Sequence, residues 1–570
     1  MNRHESLSTM LRLSTFLVAA LLPFIGAANM KDQIPARPHL RSIGTTKQLY
    51  VNSKPFLILG GELGNSNASD PNQLDAIFTK LHNMNLNTVM LPVYWDRVEP
   101  EEGKFDFALV QSAIETARKH DMKLVFLWFG TWKNSMSCYA PGWVKRDTKR
   151  FSRVRKKDGE AQEIVTPASD SCAAKDAAAF AELMRWTKEF DESLHTVVMV
   201  QVENEIGMIP EPRDHSDESE KQYRSSVPKE LITKLTSGKL GPEVAAIWQG
   251  AGGVESGTWA EVFGTEPGGE EVFSAWQFAT YTDCVAAAGK KVYDLPMLTN
   301  AALIRPGYKP GQYPSGGPLP HLIEVWQTGA PNLDLLSPDI YFPNFSEWID
   351  RYMRSGNSLF IPEIAPSTRA AANALYAYAK HHAIGVGPFS IENQTGAKER
   401  DITECFGILK KIAPVVLDCQ ARGKILGLSP RLDFDWKVGD EPEKGTLGDF
   451  VFSAAFDKTP ITNPGSLSTL PTLGVGRWET PEGAPAGSVM ILQIDDEEFV
   501  VIGKGVKITF APADGKGKVG IESVHEGNFA ADGKWLGARW LNGDETHQGR
   551  HVALYDGSWK VQRVKLYRYQ

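Results

Sequence analysis

Two short apolar runs in this chain end in carboxylates. Val197-Val198-Met199-Val200-Gln201-Val202 runs into Glu203-Asn204-Glu205, and Leu359-Phe360-Ile361-Pro362 runs into Glu363. Side chains alternate along a strand, so Glu203 and Glu205 are predicted to share one face and Asn204 to take the other, as long as the strand continues. A lone glutamate is ordinarily a solvated ion-pair partner. Two at the ends of two strands of one sheet can do more. One carboxyl can protonate a leaving oxygen while the other attacks an anomeric carbon, which is the chemistry of glycosidic-bond cleavage. The acid must be protonated when it meets the leaving group, so burial and a neighbouring carboxylate should raise its pKa, and the attacking carboxylate must stay ionised. Glu62, Tyr94 and Asn134 follow the first three strands and are candidates to hydrogen-bond ring hydroxyls, with structural roles equally open to each. Trp95, Trp128, Trp132 and Trp143 fall near the same strand ends, where an aromatic face suits the apolar face of a sugar or simply fills a core.

Strands and helices must carry these groups, and the middle of the chain alternates the two. From about residue 55 to 420, strands are expected at Phe56–Leu59, Thr88–Leu91, Lys123–Phe129, Val197–Val202, Lys291–Leu298, Leu335–Ile340, Ser358–Ile361 and Ala383–Ile391. Helices are expected at Asp70–Asn83, where Asp70-Pro71 opens a face of Leu74, Ile77, Phe78 and Leu81, and at Phe107–His120, Ala177–Phe190 and Ile402–Arg422. Eight alternations predict an α/β fold, a (β/α)8 TIM barrel over 29–422 whose site lies at the C-terminal ends of its strands. A doubly wound sheet competes, but Gly60-Gly61-Glu62-Leu63-Gly64 lacks the order of a phosphate-binding turn. Strands four and seven of a barrel lie roughly opposite each other, which puts Glu205 and Glu363 across its mouth. After Gly423 short alternating runs appear at 489–494, 499–502, 506–510, 519–524 and 561–567. They predict a smaller antiparallel, sandwich-like β domain over 423–570 that supplies no catalytic carboxylate, with Gly503-Lys504-Gly505 as a hairpin turn.

The chain has 570 residues, of which 42% are hydrophobic, and carries 61 Lys+Arg against 69 Asp+Glu, a net charge of −8. That balance argues against a nucleic-acid partner. Fifteen Trp, 15 Tyr and 26 Phe make an aromatic-rich core or cleft. Arg3 and Arg12 precede an apolar run from Leu13 to Ile25 and then Gly26-Ala27-Ala28, the layout of a signal peptide over 1–28. Export to the extracellular medium or a periplasm is expected, with no membrane partner after cleavage. Of five cysteines, Cys138 and Cys172 flank one polar stretch and are the expected disulfide. Cys405 and Cys419 lie 14 residues apart on one expected helix, too far to bridge. Sequons occur at Asn67, Asn344 and Asn393. The basic run from Lys145 to Lys157 is expected to be a solvated loop or hairpin, with contact to an acidic polysaccharide as the sharper alternative. No spacing matches a zinc or calcium site, and no cofactor is expected.

Asn204-Glu205 after the fourth strand and a Glu ending the seventh resemble the retaining glycosidases of clan A. Gly60-Gly61-Glu62, Met84-Asn85-Leu86-Asn87-Thr88-Val89, Tyr94-Trp95, Glu99-Pro100 and Gly103-Lys104-Phe105-Asp106-Phe107 are similar to the β-galactosidases of glycoside hydrolase family 35, and also resemble family 42. The family 35 pattern Trp-Asn-x-His-Glu-Pro stands here as Trp95-Asp96-Arg97-Val98-Glu99-Pro100, without its Asn and His. The resemblance spans about residues 45–420 and suggests a compact subgroup with one C-terminal β domain. It implies an exo-acting β-galactosidase that removes terminal β-D-galactosyl residues with retention and without a metal. Glu205 would be the acid/base, Glu363 the nucleophile, Tyr341 the tyrosine against the nucleophile, and Asn204 the ligand of the sugar 2-hydroxyl. Another exo-β-glycosidase of the clan, acting on galactofuranose for example, and an inactive sugar-binding barrel are the alternatives.

Overall fold

In a computed structural model, residues 36–457, 485–555 and 557–570 are described. The expected signal peptide lies outside them. Eight parallel strands close a barrel: β1 (Ile58–Glu62), β2 (Thr88–Tyr94), β3 (Lys123–Lys133), β4 (Val197–Asn204), β5 (Met297–Ala302), β6 (Leu335–Ile340), β7 (Ile361–Ile364) and β8 (Gly385–Pro388). They neighbour one another in chain order, and β8 closes on β1. Every residue of β2, β4, β6, β7 and β8 is buried, as a parallel sheet covered on both faces requires. A helix follows each strand: α1 (Pro71–Asn83), α2 (Ala108–Lys119), α3 (Asp170–Asp191), α4 (Pro267–Val292), α5 (Ile323–Gly329), α6 (Phe345–Tyr352), α7 (Ala370–Lys380) and α8 (Gly396–Arg422). Local chemistry explains their ends. Asp70 caps α1 by accepting from Asn72 N, Pro71 takes the first turn, and Leu74, Phe78 and Leu81 are its buried stripe.

The fifth strand starts six residues later than its sequence suggests. Lys291 and Val292 are the last two residues of α4, and a short run of this kind does not tell helix from strand by itself. The expected Cys138–Cys172 disulfide does not form. Both thiols are free, Cys138 at the surface and Cys172 buried in the first turn of α3 against Thr131 Oγ1 at 3.6 Å. The polar stretch between them is not one loop: it holds a hairpin (Arg153–Arg155 with Ala161–Val165) and the start of α3, which carry the two cysteines to different places. In that basic stretch, Lys156 pairs with Asp158 and Glu160, and Arg150 with Glu102, which makes it a solvated hairpin. Of the sequons, Asn344 is buried with its amide on Glu347, while Asn393 is exposed.

Beyond α8 the chain forms two antiparallel sheets. One has the order β9 (Ile425–Leu428), β12 (Ser488–Gln493), β13 (Glu498–Lys504), β18 (Lys560–Tyr569), β15 (Lys518–Phe529), β16 (Trp535–Trp540). The other runs β10 (Glu443–Leu447), β11 (Phe450–Phe456), β14 (Val506–Pro512), β17 (Val552–Leu554). Gly503-Lys504-Gly505 is not a hairpin turn: β13 and β14 lie in different sheets, and Gly505, at φ +60°, carries the chain from one to the other. Alternation places Val489, Ile491, Val501 and Val564 between the sheets, and Met490, Leu492, Val500 and Ile502 against the barrel's own core. No described helix is long and apolar enough to cross a membrane.

Candidate active site

The C-terminal ends of the barrel strands converge on one buried set of polar side chains. Glu62 ends β1, Lys133 ends β3, Asn204 ends β4, and Glu205 follows it. Asn300 sits in β5 and Asp339 in β6, Tyr341 follows β6, and Glu363 lies in β7. Register does much of the positioning. Asp339 stands beside Glu363 across β6–β7, and Lys133 beside Asn204 across β3–β4. Glu205, Asp339 and Glu363 each bring a carboxylate oxygen within 4.8 Å of the other two. This is the one trio of carboxyl, His or Cys groups among the described residues that could hold a metal ion, and the Lys133 ammonium already stands at 3.7 Å from Glu363 Oε1.

The end of β4 does not follow the simple alternation of a strand. Glu203 and Glu205 both adopt left-handed backbone, at φ +62° and +44°, and the two side chains part company. Glu203 turns into the wall, where it accepts from Thr131 N at 3.1 Å and Trp132 N at 2.7 Å and lies beside Asp176. Asp176 is itself held by Trp128 Nε1 at 2.8 Å and Thr131 Oγ1 at 2.7 Å. Burial first, and then the charge of Asp176, push Glu203 well above the usual carboxylate range. Asn204 and Glu205 both face the mouth. Two non-glycine residues in left-handed backbone are costly and persist only where the surroundings determine them, as Glu203's buried bonds do here.

Each carboxyl of the mouth has a distinct environment. Glu363 accepts from Tyr341 Oη at 2.6 Å and from Asn204 Nδ2 at 3.2 Å. Glu205 accepts from Asn134 Nδ2, and its backbone N–H is fixed by Asn300 Oδ1 at 2.8 Å. Burial, then the charge of Glu363, push Glu205 up to about 7, against the opposing pull of Lys133 and of hydrogen bonds from Asp339 and Asn134. Asp339 is raised well above the usual range by burial and by Glu363, Glu205 and Glu62 together, so it is the protonated member of its contact with Glu205 and donates. Glu62 is fully buried and raised for the same reasons, burial before the charge of Glu363. It also shares a side-chain hydrogen bond with Glu363, in which the raised Glu62 is the protonated partner and donates.

Of the residues singled out in the sequence, the structure brings Glu62, Asn134, Asn204, Glu205, Tyr341 and Glu363 together. It does not bring Tyr94 or Trp132. The Tyr94 hydroxyl donates to Asn65 O at 2.7 Å, and its ring stacks on Tyr139. Trp132 is fully buried behind β3, with Nε1 on Val165 O and its ring against Tyr281 and Phe278. Trp95 and Trp128 are core as well, and Trp143 packs edge-on to Trp95. Lys133, Asp339 and Asn300 are the members that sequence reasoning missed. Asp339 was open to discovery, because it alternates with Tyr341 at the end of an expected strand. Lys133 was hidden, because that strand was expected to stop at Phe129 and a lysine beyond it looks solvated.

Two family profiles match the chain. Residues 65–235 match the profile of glycoside hydrolase family 42, described as β-galactosidase, and residues 402–553 match a domain of unknown function, DUF5597. The matching profile is thus family 42's, which reverses the order of resemblance drawn from Met84 to Phe107, where family 35 stood first. No curated protein matches the chain. Among solved structures, the β-galactosidase of Bacillus circulans sp. alkalophilus is similar at 16% identity and TM-score 0.44, over 64% of this chain and 57% of that one. The cold-adapted enzyme of Rahnella sp. R3 is similar at 15% and 0.46, over 66% and 58%. The chain spans less than two thirds of the length of either.

Proposed function

We propose that the chain is a retaining exo-β-galactosidase that works by double displacement. The observation that carries this is the approach of Glu205 and Glu363, with carboxylate oxygens within 4.8 Å of each other. Retaining glycosidases hold their two carboxyls about 5–5.5 Å apart, and inverting ones about 6.5–9.5 Å to admit a water. Protonation supports the same assignment. Glu205, held near 7, is a proton donor at neutral pH, and Glu363 is aimed by two donors, Tyr341 and Asn204. Glu363 Oε attacks the anomeric carbon, the bond to the leaving oxygen breaks, and the Glu205 proton goes to that oxygen. Water then attacks the glycosyl ester, its proton passes to Glu205, and Glu363 leaves as the carboxylate. The Asn204 amide, which faces Glu363, is the ligand for a ring hydroxyl.

Galactose as the sugar draws support from the family 42 match over residues 65–235. Hydrolysis of a panel of nitrophenyl glycosides, pyranose and furanose, tests it. Turnover of the β-D-galactopyranoside at least tenfold above the rest is expected, and preference for a furanoside or another β-sugar would move the assignment within the clan. We further infer export, from the charged and apolar layout of residues 3–28, and galactosides of plant cell walls as natural substrates. N-terminal sequencing of the protein recovered from the medium or periplasm, expected to start near Asn29, tests the export.

A further inference from the structure

Lys133 is an unusual residue to find at the floor of a carboxylate site, and its place follows from the turn that carries it. Lys133 and Met136 exchange backbone hydrogen bonds at 2.9 and 3.0 Å around Asn134 and Ser135, both in left-handed backbone at φ +51° and +65°. That is the two-residue turn of a tight hairpin. It aims Lys133 and Asn134 at consecutive residues of the next strand end. Lys133 Nζ donates to Asn204 Oδ1 at 2.8 Å, and Asn134 Nδ2 donates to Glu205. Lys133 is 3% exposed, lies 3.7 Å from Glu363 Oε1, and has its ammonium 4.9 Å from the centre of the Phe129 ring.

Two consequences follow. An ammonium has only donors, so it fixes which end of the Asn204 amide is which: the oxygen faces Lys133, and the NH2 faces Glu363 and the space the sugar must occupy. The second consequence is electrostatic. The charged or titratable groups around Glu205 are Glu363 from β7, Asp339 from β6, Lys133 from β3 and Glu62 from β1, with the phenol of Tyr341 beyond. Glu363 is the anion that opposes ionisation of Glu205, and Lys133 is the cation that favours it. When Glu363 becomes an ester, its charge is gone and the lysine's remains.

We propose that Lys133 is the positioning residue that lets Glu205 change from acid to base within one turnover, by orienting Asn204 and by staying charged when Glu363 is esterified. This rests on the double-displacement reading above. In the first step burial, and then the Glu363 carboxylate that faces it, keep Glu205 protonated. After attack the leaving group carries that proton away, and Glu205 faces an ammonium with no competing carboxylate at Glu363. It therefore stays ionised, ready to take a proton from water as the ester bond breaks.

The test uses the full chain, the variants Lys133→Met and Lys133→Arg, and 2,4-dinitrophenyl β-D-galactopyranoside, whose leaving group needs no proton. Lys133→Met is expected to release one dinitrophenolate per enzyme in a burst and then to turn over at least 30-fold more slowly than the parent. Azide should relieve the slow phase, since it attacks without base help. The basic limb of kcat/KM on the mononitrophenyl galactoside should move up by one pH unit or more. Lys133→Arg, which keeps the charge, should recover most of the second step. A Lys133→Met variant without a burst, with kcat and kcat/KM falling together and the basic limb unmoved, would reduce the lysine to a structural role and overturn the proposal. If the parent hydrolyses no glycoside, the reading of function fails, and the lysine is then tested by carbon-13 NMR of the glutamate carboxyls. The Glu205 signal, identified by its loss in Glu205→Gln, should titrate at least one unit higher in Lys133→Met, and an unmoved titration overturns the proposal.

Discussion

Two glutamates of one chemical type have different surroundings, and the proposed roles follow from what faces each. Glu205 sits near 7 because it is buried beside Glu363, while Glu363 is held by Tyr341 and Asn204. Glu363→Ala is expected to lower kcat by at least about 10^4, because no other group can form the glycosyl ester. Glu205→Ala should keep its first step on dinitrophenyl substrates and lose the second, with azide restoring turnover and giving the β-glycosyl azide. Azide acting on Glu363→Ala should give the α product, and the opposite stereochemistry in the two variants would mean the roles are exchanged. The pH dependence of both activity and stability follows from Glu205. Activity on substrates that need a proton should fall as pH rises through about 7, and this limb should vanish in Glu205→Gln. Stability should move the same way. A folded-state value near 7 against an ordinary 4.5 means that the native state binds the extra proton, so this contribution is intact below about 4.5 and is lost by pH 7 and above. The loss is about 3 kcal/mol. Glu205→Gln should therefore melt higher than the parent at pH 8 and alike at pH 4, as scanning calorimetry at the two pH values would show. The placing of Glu205 and Glu363 at the mouth was legible from the apolar runs that end in them, whereas Asn204 was not, because alternation put it on the face opposite Glu205 and only the family resemblance marked it. Trp132 and Tyr94 were not, because an aromatic residue at a strand end is equally at home in the wall or the mouth, and only packing decides.

Among the elements, the ends of β3 and β4 decide the geometry of the site. The backbone of Gly130 runs so close to the buried Glu203–Asp176 pair that a Cβ there would meet Trp128 Nε1 at 2.5 Å, Glu203 Oε1 at 2.7 Å and Asp176 Oδ1 at 2.9 Å. Gly130→Ala must push Glu203 and so the left-handed turn that aims Glu205. A loss of about 1–3 kcal/mol in stability is expected, with kcat/KM down tenfold or more. Urea unfolding and steady-state kinetics would check it, and a variant of unchanged stability and activity would show the wall to be softer than its contacts imply. Strand order and most helices were legible, because apolar periodicity and caps such as Asp70-Pro71 are local signals. The end of β3 was not: Gly130-Thr131-Trp132-Lys133 lacks the branched apolar residues of a strand, yet it pairs with β4 and carries Lys133. The direction of Glu203 was missed for a similar reason, since period-two alternation holds only for extended backbone and Glu203 and Glu205 are at positive φ. Gly503–Gly505 looked like a hairpin because nothing local distinguishes a turn within a sheet from a crossing between two.

Seen whole, the barrel and the C-terminal sheets share a core. Met490, Leu492, Val500, Ile502 and Val561 pack with barrel residues, and Lys504 pairs with Asp401 of α8 at 2.6 Å. Removing residues 423–570 would expose that apolar face while leaving every carboxyl of the mouth in place. A barrel of residues 29–422 is expected to be poorly soluble or to melt at least 10 °C lower. Any folded fraction should keep the glycosyl-transfer chemistry, which light scattering and a thermal melt paired with an aryl-galactoside assay would show. The barrel was legible over its length, whereas the docking of the sheets was not, because alternation says that a strand has two faces but not what each one meets. The claim on which all of this depends is that Glu205 and Glu363 are close enough for direct attack. Proton NMR of the sugar released by the intact protein, recorded within the first minutes before mutarotation, tests it most directly. The β anomer is expected as the first product from a β-galactoside. The α anomer as first product would mean that a water stands between the carboxyls, and would contradict the account.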